Sequence, residues 1–440
     1  MTSLAERQLQ AARAIIGHVA TKLEADISLQ LWNGEVLPLG PGARDDIRIV
    51  VKSPGAIRRI LLRPGLMTVF ELYAGGDVDI VGGSMLEAVA RWDHIKALRL
   101  PKTVNKAFIA KKIWPFLFAA RAADKVVAHG WDKQVEEHIE KGRDDKSLVS
   151  FHYDVSNDFY KLFLDPEMVY SCAYYAREDM DLAQAQIAKL DLICRKLRLS
   201  PGDRFLDIGC GWGGLLCHAA QNYGVKAHGV TLSQEQFDYC QDKIAHEGLT
   251  SRVTVELRDY RSLDQAEAYD KIAQIEMFEH VGIDNHDRHF LQMHKLLRPR
   301  GLYLHQASTR MATRDLRKFR KATQYQKVIT RFIFPGGEFD YVGLSTTNLE
   351  RLGFEVHDVE AMREHYIPTL RAWGERLHAN QAAAIAEAGA QKYRLWAMYF
   401  NLFAFAFERN TVSVFQTLAS KRRRGPSGLP LNRESLYRQE

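Results

Sequence analysis

The chain has 440 residues, 46% of them hydrophobic, more than one typical core organises; this excludes a disordered chain and leads us to expect two domains. Its five cysteines, Cys172, Cys194, Cys210, Cys217 and Cys240, are odd in number and never spaced C-x-x-C, which argues against a disulfide framework or a zinc site and fits a reducing compartment. The net charge of +6 is modest but unevenly spread, no apolar run reaches the ~18 residues of a membrane span, and Glu6 and Arg7 precede no signal-peptide core, so a cytoplasmic protein is expected.

From the N-terminus, Leu9, Ala12, Ile16, Val19 and Leu23 recur at helical spacing and predict an amphipathic helix over 3–23. Strands are predicted at 27–32, 47–51 and 68–73, with Asn33-Gly34 as a hairpin turn and Gly75-Gly76 and Gly82-Gly83 as punctuation; residues 1–93 read as a small α+β domain. Residues 94–150 read as a basic helical linker. From Lys96 to Lys125 it holds eight Lys/Arg against one acid, Asp124, interleaved with Phe108, Ile113, Trp114, Phe116 and Phe118. By itself such a run fits a solvated helix face, a nucleic-acid surface or a membrane-docking segment. The stretch Lys141-Gly142-Arg143-Asp144-Asp145-Lys146 marks the boundary to a second domain over 151–420.

In that domain the pattern alternates: strand 204–210, helix 213–222, strand 225–232, helix 235–247, strands 253–259 and 271–277, helix 287–297 and strand 301–307. This βα alternation predicts a parallel sheet with ligands at the carboxyl ends of its strands. A second basic run, Arg310 to Arg331, holds eight Lys/Arg against Asp315, and residues 421–440, opening with Lys421-Arg422-Arg423-Arg424, read as a flexible tail.

The first strand of the second domain runs into an acidic, glycine-rich turn, Phe205-Leu206-Asp207-Ile208-Gly209-Cys210-Gly211-Trp212-Gly213-Gly214. Glycines there let the backbone approach a ligand, and the following helix offers unpaired N–H groups. Gly209, Gly211 and Gly214 also satisfy G-x-G-x-x-G, but a dinucleotide site wants an acid after the second strand, where this chain has Thr231-Leu232-Ser233. Asp207 suits a cationic ligand and repels a pyrophosphate, which favours S-adenosylmethionine over NAD; plain turn glycines are the remaining reading.

Several unusual strings fall where loops of that sheet open: Phe151-His152-Tyr153-Asp154-Val155, Tyr170-Ser171-Cys172-Ala173-Tyr174, Met277-Phe278-Glu279-His280-Val281-Gly282, Leu304-His305-Gln306 and His365-Tyr366. With these strings in this order, the chain from about residue 151 to 407 resembles the cyclopropane-fatty-acyl-phospholipid synthase family, which includes the mycolic acid cyclopropane synthases. The resemblance implies a Rossmann-like class I S-adenosylmethionine-dependent methyltransferase domain of α/β class beside the smaller N-terminal α+β domain. It implies methyl transfer to the cis double bond of an unsaturated phospholipid, then proton loss and ring closure. The base it implies is a bound bicarbonate, caged by Cys172 (chiefly its backbone), Glu279, His305 and Tyr366. Each has a blander reading: a helix-start pair for Glu279, a core histidine for His305, packing for Tyr366, a small apolar residue for Cys172.

For the cofactor the resemblance implies Tyr170 and Ser171 at the methionine end and Gly209, Gly211 and Gly213 beside Asp207 at the loop. Thr231, Leu232 and Gln236 would face the ribose, and Asp259 and Tyr260 the adenine. Two departures stand out: His305-Gln306-Ala307 replaces the His-Thr-Ile of many relatives, and Phe403 stands where some carry a cysteine. They leave open whether the product is a cyclopropane, a methylene branch or, after reduction, a methyl branch. Beside this resemblance the basic aromatic run reads as docking on an anionic membrane surface at the inner face, with Trp114 and Phe116 inserting, and nucleic acid is not expected. Relatives suggest a homodimer. A non-catalytic lipid-binding protein of the same fold and a small-molecule N-methyltransferase are the rivals.

Overall fold

A computed structural model describes residues 2–119 and 156–437, which fall into two compact units. The linker stretch Lys141–Lys146, the string Phe151–Val155 and the end of the first basic run, Arg121, Asp124 and Lys125, lie outside the described residues.

The first unit comprises the N-terminal residues together with 322–333 and 374–402. Ser3 and Glu6 form a capping box that starts the helix Leu4–Leu23, and its Ala11, Ala12, Ile15, Ile16 and Leu23 go into the core. Four strands follow in the order β2-β1-β3-β4. β1 (Ile27–Gln30) returns antiparallel into β2 (Val36–Pro38) through a turn where Gly34 sits at φ +88°. β3 (Arg44–Val51) lies parallel to β1, and β4 (Val78–Val81) antiparallel to β3.

The strand expected at 68–73 is instead the helix Leu66–Ala74. A short apolar run does not separate strand from helix by periodicity. Here Leu66, Met67, Glu71 and Ala74 favour the helix, which buries Phe70, Leu72 and Tyr73. The basic segment is not a detached linker over its described part. Its helices His94–Thr103 and Lys106–Ile113 join this unit, and Pro115 O accepts from Gln8 Nε2 at 3.0 Å. Phe116, expected at a membrane interface, is buried in the core, whereas Trp114 and Phe118 are 62% and 60% exposed and meet edge to face at 5.1 Å.

The second unit holds a seven-stranded sheet in the order β10-β11-β9-β8-β5-β6-β7. β5 (Arg204–Ile208), β6 (Lys226–Thr231), β7 (Val253–Leu257), β8 (Tyr269–Ile275) and β9 (Leu297–Arg310) run parallel, as the alternation predicts. β11 (Val412–Lys421) is inserted antiparallel between β9 and β10 (Phe354–Ala361), so the sheet is mixed. Successive residues of β5 serve opposite faces. Phe205 joins a cluster with Leu216 and Val255, and Leu206 and Ile208 join one with Phe290 and Leu349. Lys421, placed at the start of the tail from sequence, ends β11, and a short helix follows at Glu434–Tyr437.

Candidate functional site

At the carboxyl end of β5 the chain turns through Gly209, Gly211 and Gly213 at φ +74°, +55° and +84° before the helix Gly214–Tyr223. These are left-handed conformations that strain any residue with a Cβ, and a Cβ on Gly209 would also press on Met277 Cβ at 3.0 Å. The turn borders a cavity of about 1140 Å³ counting its open mouth. Tyr170, Ser171, Asp207, Gly209, Gly211, Thr231, Leu232, Gln236, Asp259 and Tyr260 line it. Gly213 does not; it caps the helix beside Cys240 Sγ.

Asp207 is 3% exposed, and burial pushes its carboxyl up to about 7 although Lys189 pulls it down. Lys189, also fully buried, donates to Ser171 Oγ at 2.9 Å. Thr231 Oγ1 donates to Gln236 Oε1 at 2.8 Å, which fixes the Gln236 amide. Burial raises the Asp259 carboxyl, but hydrogen bonds from Arg261 more than reverse this and leave it below its ordinary value. Tyr260 OH and His289 Nδ1 are 3.0 Å apart.

Of the four residues expected to cage an ion, Cys172 and Tyr366 meet on a carboxylate not singled out from the sequence, Glu276, while Glu279 and His305 bond elsewhere. Cys172 N donates to Glu276 Oε1 at 2.9 Å, Gln306 Nε2 to the same oxygen at 2.6 Å, and Tyr366 OH to Oε2 at 2.6 Å. Glu276 follows β8, takes φ +50° and lines the cavity. Glu279 lies three residues on, where its Oε1 accepts from Ser308 N at 2.6 Å and its Oε2 has no hydrogen-bond partner among the described residues. Burial, and then the charge of Glu276, push Glu279 up to about 8.

His305 goes to the other side of the sheet from Gln306, as successive strand residues must. Its Nδ1 pairs with Gln274 Oε1 at 2.6 Å and its Nε2 with Ser345 Oγ at 3.3 Å, while burial lowers it to about 3 and keeps it neutral. A bicarbonate ion does not fit this arrangement. The Cys172 N–H and Tyr366 OH expected to hold it are taken up by Glu276, whose carboxylate fills the place between them. The signal for Glu276 was present in the sequence: an acid at the ligand end of the strand expected at 271–277.

The cofactor cavity fits S-adenosylmethionine. A buried carboxyl suits a cationic ligand, and the glycine turn clears space that a Cβ would occupy. Rings stand close by, with Tyr170 5.1 Å from Trp373 and 6.5 Å from Phe334.

The sequence model of the family described as mycolic acid cyclopropane synthetase matches residues 140–417. A probable fatty acid methyltransferase of Pseudomonas putida is 34% identical over 94% of this chain and 97% of its own length. Cyclopropane mycolic acid synthase 1 of Mycobacterium tuberculosis is 37% identical over 62% of this chain and 96% of its own length. The solved structure of mycolic acid cyclopropane synthase CmaA1 complexed with SAH and CTAB superposes with a TM-score of 0.60 at 34% identity, covering 64% of this chain and all of that one.

Proposed function

The chain belongs to the mycolic acid cyclopropane synthetase family, and from that membership we propose that it adds one carbon to the cis double bond of an unsaturated phospholipid acyl chain and closes a cyclopropane ring. It has the class I methyltransferase fold and is an S-adenosylmethionine-dependent methyltransferase. One observation carries the reading. One cavity is lined both by Asp207 with the glycine turn and by Glu276, a partly buried carboxylate that accepts from three donors.

S-adenosylmethionine, when bound, supplies a methyl carbon made electrophilic by its sulfonium. Asp207, Ser171 and the glycine turn would hold its methionine part, Thr231 and Gln236 its ribose, and Asp259 and Tyr260 its adenine. An alkene that gains this carbon becomes a cation with no basic atom of its own. The chain must then stabilise positive charge and remove one proton. The ring of Tyr170, which lines the cavity and is backed by Trp373 and Phe334, offers a π face for the first task. Bicarbonate, implied by the resemblance for the second, has no step in this reading, because its place is taken by a side chain.

A methyl- or methylene-branching reaction on the same lipids is the second reading. It is favoured by the full-length match to a relative named as a fatty acid methyltransferase, where the cyclopropane synthase covers only 62% of this chain. Incubating the purified chain with methyl-labelled S-adenosylmethionine and vesicles of cis-unsaturated phosphatidylglycerol, then fragmenting the labelled lipid, separates the two products. Unlabelled lipid would sink both.

Access to such lipid is assigned to the exposed Trp114, Leu117 and Phe118 beside Lys102, Lys106 and Lys111. Among the described residues no helix is long and apolar enough to cross a membrane.

A further inference from the structure

Side chains in series end on Glu276. Lys196, the last residue of the helix Leu182–Lys196, is fully buried and ion-paired with Glu360 and, at 3.7 Å, Asp358. Its ammonium donates to Gln416 Oε1 at 2.7 Å. An ammonium has no acceptor, so Gln416 must present its oxygen to Lys196 and its NH₂ elsewhere. That NH₂ donates to Gln306 Oε1 at 2.8 Å, and Gln306 in turn has only its own NH₂ left for Glu276. The register of β11 on β9 sets Gln416 directly opposite Gln306. A fixed cation at one end thus orients both amides and delivers an N–H donor at the other.

Glu276 is partly buried, and burial raises its carboxyl above the ordinary value while Tyr366, Cys172 N–H and Gln306 oppose that rise. Donors of this kind favour the charged form, and burial keeps that form basic.

We propose that Glu276 is itself the base that takes the proton from the lipid cation, held in place by Gln306 as a positioning residue set by Gln416 and Lys196, and that the enzyme works without bicarbonate. The inference rests on the carbon-transfer reading above. In the step, one C–H bond of the newly attached methyl breaks and its electron pair closes the bond to the cationic carbon. The proton passes to a Glu276 oxygen, leaving a neutral ring and a neutral carboxylic acid.

The test uses the full chain, in buffer stripped of carbonate and in the same buffer with bicarbonate restored, on vesicles of cis-unsaturated phosphatidylglycerol. Wild-type turnover is expected to be equal in the two buffers. Glu276→Gln, the same size but uncharged, should lose on the order of 100-fold or more in either. Glu276→Gly suits the left-handed backbone at this position and leaves three donors facing a hole; its lost turnover should return in part with bicarbonate. Gln306→Met should move the acid limb of the pH–rate profile up by about one to two pH units, because one donor to a charged group is lost; a merely structural role would lower the rate without moving that limb.

A second readout needs no turnover. Carbon-13 bicarbonate should bind Glu276→Gly and not the wild type. The proposal is overturned if the wild type binds bicarbonate in a Tyr366-dependent way, if its rate falls on carbonate stripping and recovers on addition, or if Glu276→Gln keeps the wild-type rate. A wild type that modifies no lipid in either buffer refutes the carbon-transfer reading, and with it the base role. The binding readout then still shows which group fills the Cys172–Tyr366 site.

Discussion

Two carboxylates sit three residues apart in this site, and replacing Glu279 by Gln separates their roles. Glu279 is partly buried, with one oxygen on Ser308 N and the other shielded from solvent and without a hydrogen-bond partner among the described residues. Burial first, then the charge of Glu276, raise it from 4.5 to about 8. Between those values the folded chain keeps a proton that the unfolded chain has released. The folded state therefore binds more protons, and stability falls as pH rises through the window. Each pH unit carries about 1.4 kcal/mol, so from pH 5 to pH 8 the loss is on the order of 4 kcal/mol. Glutamine has the same shape and no proton to lose. Glu279→Gln should gain on the wild type by about that amount over the same range, read as urea midpoints at pH 5, 6, 7 and 8. At pH 7 it should keep most of the turnover, since its amide stands in for a protonated carboxyl. A stability difference that stays constant from pH 5 to 8 would mean that Glu279 is ionised in the folded protein, and the reasoning from burial would be refuted.

Asp207, pushed by burial to about 7, must ionise when a cation binds beside it. The affinity for S-adenosylmethionine should rise about tenfold per pH unit below 7 and level off above, and Asp207→Asn should flatten the profile in calorimetry. Gly209→Ala forces a Cβ into a left-handed turn 3.0 Å from Met277 Cβ, and is expected to lower stability by about 1 to 3 kcal/mol and to weaken cofactor binding; unchanged values would show that the turn relaxes freely. Reversing the charges of Lys102, Lys106 and Lys111 should weaken binding to anionic vesicles by about 1 kcal/mol each and spare activity on detergent-dispersed lipid, while Trp114→Ala with Phe118→Ala should reduce vesicle binding at high salt as well. Vesicle affinity unchanged in both variants would leave the exposed run without a docking role.

The residues legible in the sequence were those whose role is local. The glycine turn, Asp207 and the strand ends at Thr231 and Asp259 were read from spacing or resemblance, and all border the cavity. Backbone conformation and strand-end position are set within a few residues, so a linear pattern carries them. The error at 68–73 has the same origin in reverse, because there both local patterns were satisfied and burial decided.

The centre of the site was a different matter. Cys172, Glu276, Gln306 and Tyr366 meet only because β8 and β9 pair in one register and the loop carrying Cys172 and the helix Arg363–Ala379 carrying Tyr366 reach the same carboxylate. Gln416 reaches Gln306 only because β11 enters the sheet antiparallel, and that strand is buried on both faces, so it shows no alternation to read. By itself the sequence determined the βα order, the glycine turn, the family resemblance and the set of acids at the ligand edge. Which acid receives the donors was decided by the tertiary structure alone, because a hydrogen bond between residues 30 to 104 positions apart depends on strand register and direction, and neither is encoded at the positions that bond.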